Sequence, residues 1–194
     1  MSSQKNFILV VNPISGDVDK TEITEIASGF AESQDVNLII FETTGNNDEV
    51  AIQKLQEKNK AERIIVVGGD GTIKMVAEAM KDHEVILGII PGGSANGLSV
   101  DLNLPGEIEE NLIIAFQNDY MEMDMISING KKSMHLSDIG INAELVKNYE
   151  NSNVRGKLGY ALQAINTLTG LKEPFRAKIE TKNRTVETEA RMVV

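Results

Sequence analysis

Residues 64–72 read Ile64-Ile65-Val66-Val67-Gly68-Gly69-Asp70-Gly71-Thr72. A short, unbroken run of branched aliphatics bounded by turn residues is the pattern of a strand buried on both faces. The glycines end the run, and the spacing predicts a helix over about 72–81, with Thr72 as its candidate N-cap. A strand that turns through glycines into a helix gathers backbone N–H groups at the positive end of the helix dipole, where they cradle an anion such as phosphate. Glycine leaves no Cβ between main chain and ligand. Asp70 repels phosphate unless it holds a metal, accepts a hydroxyl proton or binds a sugar hydroxyl. The alternative is an ordinary turn with a capping aspartate.

The same grammar extends outward. Phe7 to Val11 form an apolar run ended by Asn12-Pro13, and Ile23, Ile26, Ala27 and Phe30 fall on one helical face. A strand over 36–41, the polar turn Thr43 to Asn47, a helix over 50–58 with Ile52 and Leu55 inward, and a strand over 85–90 complete an alternating series. Apolar strands alternating with helices predict a parallel sheet covered on both faces, with ligands beyond the carboxyl ends of its strands. Seven of the 16 glycines lie between residues 68 and 97, in and between those loops. After Asp124 the texture changes. Segments 125–128, 133–141, 175–181 and 185–194 alternate apolar and polar residues as half-wet strands do, with one helix over about 159–171. The expected fold is α/β: a Rossmann-like parallel-sheet domain over 1–125 with helices on both faces, then a truncated β-sandwich-like domain over 126–194. The second domain reads as incomplete because Met192-Val193-Val194 ends inside an apparent strand.

Charge narrows the function. Of 194 residues, 29 are acidic and 19 basic, a formal net charge of −10, which argues against a nucleic-acid partner. Hydrophobic residues make up 41%, enough for a core. No apolar run reaches the roughly 18 to 20 residues of a membrane span, so the expected location is cytoplasmic. With no cysteine and two histidines, thiolate chemistry and histidine-rich metal clusters are out. The charge is unevenly spread: 1–125 carry 8 basic and 22 acidic side chains, 126–194 carry 11 and 7. Arg155, Lys157, Lys172, Arg176 and Lys178 could thus meet the inner face of a membrane as a peripheral contact, against the alternative of a solvated mixed-charge surface. Exposed strand edges would invite pairing into a homodimer.

Two further loops resemble the first in placement. Asn12-Pro13-Ile14-Ser15-Gly16 follows the first strand, and Pro91-Gly92-Gly93-Ser94-Ala95-Asn96-Gly97 follows the strand ending at Ile90. Ser94 and Asn96 offer uncharged hydrogen-bonding groups. Neither G-x-x-x-x-G-K-[ST] nor G-x-G-x-x-G occurs, so the P-loop and the common dinucleotide fingerprint are absent.

Asn12-Pro13-x-Ser15-Gly16, Gly68-Gly69-Asp70-Gly71-Thr72 and Pro91-x-Gly93-Ser94-x-Asn96, in this order, resemble the diacylglycerol kinase catalytic domain family, which includes bacterial lipid kinases and sphingosine kinases, with NAD kinases as distant relatives. His135 to Ala143 and Arg155 to Tyr160 look like segments of its second domain. The resemblance implies ATP-dependent, Mg2+-assisted phosphorylation of a lipid hydroxyl, of diacylglycerol or a related lipid, in a cleft between the two domains. It implies nucleotide-binding roles for Asn12, Ser15, Gly16, Thr43, Gly68, Gly69, Asp70, Gly71, Thr72, Ser94 and Asn96, with Thr44 an equal candidate beside Thr43. Asp70 falls near the phosphates, metal or reacting hydroxyl and is the catalytic candidate. The family's later metal-holding carboxylates and proposed general base fall beyond Val194, so metal ligands stay unassigned.

Departures keep alternatives open. Met75 stands where many members carry Glu, Asp17 where a basic or small residue is common, Gly97 where an acidic or small residue follows the asparagine, and Ser137 where asparagine is frequent. An NAD kinase-like enzyme and a nucleotide-binding fragment without activity are the other readings. His135 reads as a structural residue in an alternating strand, His83 as an exposed cap at a helix end, and Met121, Met123 and Met125 as core or interdomain packing rather than a lipid slot.

Overall fold

The computed structural model describes residues 4–150 and 173–194. These divide by packing into two compact units, Met1–His135 and Leu136–Val194. In the first, β1 (Lys5–Val11), β2 (Val36–Glu42), β3 (Arg63–Gly68) and β4 (Ile86–Pro91) form one sheet in the order β2-β1-β3-β4. All three pairings are parallel. The chain leaves β1 towards β2, then crosses back over β1 to reach β3. That reversal opens a crevice between the ends of β1 and β3.

The strand sequences follow from two-sided burial. Phe7, Leu9, Val11, Ile65, Val67 and Ile90 pack on one face with Ile23, Ala27 and Ala31 of α1 (Lys20–Ser33) and with Leu112, Ala115 and Phe116 of α5 (Ile108–Gln117). Ile8, Val10, Ile64 and Val66 pack on the other with Ile52 of α2 (Asp48–Asn59) and Ile73 and Val76 of α3 (Asp70–Ala79). Alternate residues of Phe7–Val11 and Ile64–Val67 thus serve opposite layers, and polar side chains are confined to the starts of these strands, at Lys5, Asn6 and Arg63. Phe116 lies 5.4 Å from Phe7 and 5.1 Å, edge on, from Phe30 by ring centroids, an arrangement aromatic pairs favour. The helical face expected at Ile23, Ile26, Ala27 and Phe30 packs on this layer. At the far edge, a Cβ on Gly88 would lie 2.8 Å from that of Ala115, so this glycine seats α5 on β4.

Several expectations are corrected. α3 begins at Asp70 with Gly69 in the N-cap position, so Thr72 lies inside the first turn, buried, and caps nothing. α4 (Gly97–Asp101) and α5 occupy a stretch for which no helix was expected. The strand anticipated over 133–141 is mostly loop. A hairpin of β5 (Ile126–Ile128) and β6 (Lys131–Ser133) closes through Asn129 and Gly130, both with positive φ, the residue pair such turns favour. Met121 and Met123 are 68% and 40% exposed, outside the core.

In the second unit, β7 (Ile139–Gly140) pairs antiparallel with β10 (Met192–Val193), and β8 (Phe175–Glu180) with β9 (Thr185–Ala190). α6 (Ile141–Glu150) starts where the alternating strand was expected to end. Gly140 has φ +106, and a Cβ there would overlap the Arg191 carbonyl, so pairing with β10 depends on glycine. The helix expected over 159–171, with Arg155, Lys157 and Lys172, lies outside the described residues. Among the described residues no helix is long and apolar enough to cross a membrane.

Candidate functional site

Four loops leave the sheet side by side at the carboxyl ends of its strands, and backbone bonds carry the ladder into them. Asn12 N donates to Val67 O at 3.0 Å, Thr43 N to Val11 O at 2.8 Å and Gly92 N to Gly68 O at 2.9 Å. The residues read from the sequence as three separate turns are therefore anchored in one row.

In the first loop, Asn12 Nδ2 donates to Thr72 Oγ1 at 2.9 Å while its Oδ1 accepts from Ile14 N at 3.2 Å. Ser15 Oγ lies 3.0 Å from both Asn12 O and Gly92 O; having one proton, it donates to one of them at a time. Gly16 has φ +58, and a Cβ would meet Gly92 O at 2.7 Å, so both conformation and space demand glycine. Beneath the loop lies Lys20, 7% exposed. Its Nζ donates to Ser15 O at 2.7 Å and Val18 O at 2.9 Å. Burial pushes its pKa below the ordinary lysine value, against the opposing pull of Asp17 and Asp19. Nothing in the sequence marks Lys20 apart from its place at the start of an acidic helix.

The second and third loops interlock. A Cβ on Gly93 would lie 2.5 Å from Gly69 Cα, and one on Gly68 would strike the Thr72 side chain at 2.8 Å. The glycines expected to admit a ligand first of all let the loops touch one another. Asn96, with φ +54, ties its own loop shut: Oδ1 accepts from Gly93 N at 2.8 Å and Nδ2 donates to Gly93 O at 2.9 Å. Asp70 crosses between the loops. Its Oδ2 accepts from Gly97 N and its Oδ1 from Leu98 N, both at 2.9 Å, so it caps α4 from 27 residues away in sequence. Each carboxylate oxygen keeps a further acceptor position. The α3 amides of Asp70 and Gly71 have no partner within their own helix, and Gly71 and Ser94 are exposed.

Thr43, half-buried, begins the loop after β2. The Thr44 hydroxyl is committed elsewhere, donating to Asp48 Oδ1 at 3.0 Å. Asp48, 4% exposed, also accepts from Thr44 N at 2.9 Å and Gly45 N at 2.7 Å. Burial alone would raise its pKa, but these three donors together hold it below the usual aspartate value.

A model of the diacylglycerol kinase catalytic domain matches residues 6–128, more than half of the chain. The chain belongs to this family. An uncharacterized protein of Synechocystis sp. is 29% identical over 195 residues, covering 94% of this chain and 45% of its own length. A Staphylococcus aureus (strain JH9) protein named a "putative lipid kinase" is 27% identical over 155 residues, covering 73% and 48% respectively. Among solved structures, a "putative diacylglycerol kinase" from Bacillus anthracis str. Sterne superposes with TM-score 0.73 at 27% identity, covering 99% of this chain and 63% of its own. A second diacylglycerol kinase structure from that organism gives 0.69 at 29%, with 99% and 64% covered. The chain spans about half the length of the relatives named first.

In this member of the diacylglycerol kinase family, Asn12, Ser15, Gly16, Gly68, Gly69, Thr72, Gly92, Gly93 and Asn96 form one connected cluster that Asp70 joins to α4. The groups here that could meet a phosphate chain are the N–H groups at the start of α3, where Gly71 leaves its side-chain space open. Among the described residues no three His, Cys, Asp or Glu side chains gather as a metal site. A separate cavity of about 1110 Å3 runs along β4 and is lined by Leu87, Ile89, Leu102, Met121, Met123 and Met134 among others. None of the candidate residues lines it.

Proposed function

We propose that the protein is an ATP-dependent lipid kinase that transfers the γ-phosphate to a hydroxyl of diacylglycerol or a related lipid. The observation that carries this reading is the interlocked cluster of Gly16, Gly69, Gly93, Asn96 and Asp70 at the crevice between β1 and β3, in a chain of the diacylglycerol kinase family. Such a frame suits phosphoryl transfer, where the protein chiefly positions the reactants and offsets charge. The α3 amides and the glycine loops bind the phosphates, and Asn12, Ser15, Thr43, Ser94 and Asn96 supply neutral partners around them. Mg2+, arriving with the nucleotide, would supply positive charge between its phosphates. The lipid oxygen attacks the γ-phosphorus, the bond to the β–γ bridging oxygen breaks, ADP leaves, and the hydroxyl proton passes to a base. The spare acceptor positions of Asp70 make it the nearby carboxylate for orienting that hydroxyl. Peripheral membrane contact through the basic second half belongs to the same reading. Among the described residues Arg176 and Lys178 are engaged in exposed pairs with Glu187 and Glu180, which hold them weakly.

The test is incubation of the purified protein with γ-labelled ATP, Mg2+ and vesicles containing diacylglycerol. Labelled phospholipid is expected. No labelled product from any hydroxylated lipid would overturn the reading, and conversion of NAD to NADP would move the protein to the NAD kinase branch. A second reading, nucleotide binding without transfer, draws on one observation: both Asp70 oxygens already serve α4. Calorimetric ATP binding with no turnover would select it.

A further inference from the structure

α4 is a helix of five residues, and side chains from elsewhere hold both of its ends. At its start Gly97 N and Leu98 N donate to Asp70. At its end the Asp101 carboxylate lies 2.7 Å from His135 Nε2. The same imidazole reaches back to the first residue. A Cβ on Gly97 would fall 2.7 Å from His135 Cε1 and 3.1 Å from Nδ1, and 3.6 Å from Asp70 Oδ2. The ring therefore fills the side-chain space that Gly97 leaves, a space that Asp70 Oδ2 also borders. Gly97 has no left-handed backbone that would call for glycine; only the ring excludes a side chain there.

A single helical turn has almost no stability of its own, because nucleation costs more than its few hydrogen bonds return. Its amides are directed only as well as its ends are held. One end is Asp70 itself, so without a second anchor the carboxylate and the turn would drift together. Asp101 and His135 form that anchor. The ring is mostly buried, with 24% side-chain exposure against 63% for Asp101, which limits its freedom more than that of an ordinary surface pair.

We propose that His135, oriented by Asp101, is a positioning residue for Asp70: it braces α4 along its length from Asp101 to Gly97 and so fixes the direction of the carboxylate that α4 holds. The proposal rests on the kinase reading above for its catalytic consequence, though not for its geometry. His135 touches neither phosphate nor lipid; it acts through Gly97 and Asp70.

The experiment is a cycle on the full protein with His135→Ala, Gly97→Ala, their combination, His135→Gln and Asp101→Asn. It reads kcat and KM for ATP, the thermal midpoint and the ATP dissociation constant. His135→Ala is expected to lower kcat on the order of 10-fold, the scale of a misaligned reacting group, with KM for ATP within about twofold, as for an interaction used in the transition state. His135→Gln, whose amide still donates to Asp101, should recover most of the loss, and Asp101→Asn should reproduce it in part. Gly97→Ala should be harmful while His135 is in place and nearly harmless when combined with His135→Ala, since the new methyl group then has room, a non-additivity diagnostic of direct coupling. Unchanged kcat in His135→Ala, or strictly additive effects of the two substitutions, would overturn the proposal. If wild-type protein phosphorylates no lipid, the kinase reading fails by itself. The brace is then decided by the thermal midpoint and ATP affinity: non-additivity retains it, additivity sinks it.

Discussion

Gly69 and Gly93 face each other so closely that a Cβ on Gly93 would lie 2.5 Å from the Gly69 α-carbon and 2.8 Å from Asn96 Oδ1. The first is backbone and the second is a side-chain oxygen that Asn96 keeps on Gly93 by two hydrogen bonds, so the loops themselves must part. Gly93→Ala is expected to destabilise the first unit by about 1–3 kcal/mol, the range for forced overpacking, and to weaken ATP binding at least in parallel. Thermal unfolding and calorimetry measure the two effects. Unchanged ATP affinity would show that the loops separate without harm to the cradle.

Asp70→Asn keeps size but loses an acceptor. One of its two positions would present N–H groups to the Gly97 or Leu98 amide in place of an oxygen. A lost cap costs about 1 kcal/mol, and a much larger fall in phosphate transfer is expected if Asp70 also orients the hydroxyl. Equal small losses in stability and rate would confine Asp70 to a structural part.

Asp48 sets an acid limit. Its pKa in the fold lies below that of the unfolded chain, so its stabilisation is complete above about pH 4, the unfolded value, and disappears as pH falls through the folded one. Asp48→Asn should cost about 1–3 kcal/mol at neutral pH, the scale of buried donors left unmatched. It should also flatten the acid limb of the stability profile measured by urea unfolding. A mutant profile parallel to wild type below about pH 4 would contradict this.

Lys20 works in the opposite range. Its pKa is lowered in the fold, so the unfolded chain binds the extra proton, and the Lys20 contribution to stability rises with pH up to about 10.4, the unfolded value. Lys20→Met should remove that alkaline rise while loosening the Ser15 loop, seen as weaker ATP binding. ATP affinity equal to wild type would dismiss its bracing of the loop.

Gly29 offers a contrast with the crowded glycines. It lies inside α1, and a Cβ there meets nothing within 4 Å. Gly29→Ala should therefore stabilise by about 0.5–1 kcal/mol by restricting the unfolded chain. A lower thermal midpoint would be inconsistent with that open space.

The parallel sheet was legible because burial on both faces keeps polar residues out of the middle of its central strands: Phe7 to Val11 and Ile64 to Val67 read as strands from composition alone. The loops were legible because each follows such a run. Pairings through space were not. Nothing in the spacing of Asp70, Gly97 and His135 says that these three distant positions fold onto one turn, since α4 is too short to carry a period. α5 did leave a signal, Ile108, Leu112, Ala115 and Phe116 at helical intervals, in a stretch assigned no element. The alternation over 133–141 misled because, among the described residues, only its ends find a partner strand, Ser133 with β5 and Ile139–Gly140 with β10, whereas Asp138 accepts from Asn142 at 2.6 Å as α6 begins.

The stitching of Ser15 and Gly92, Gly68 and Gly92, and Asn12 and Thr72 has a bearing on how such a site can be re-engineered. A loop exchanged singly with that of a relative would arrive without its contact partners, and each misfit would be felt by the other two. If the loops bind nucleotide as proposed, exchange of all three as a block, with Lys20 beneath them, is the unit in which its preference would be transplanted between members.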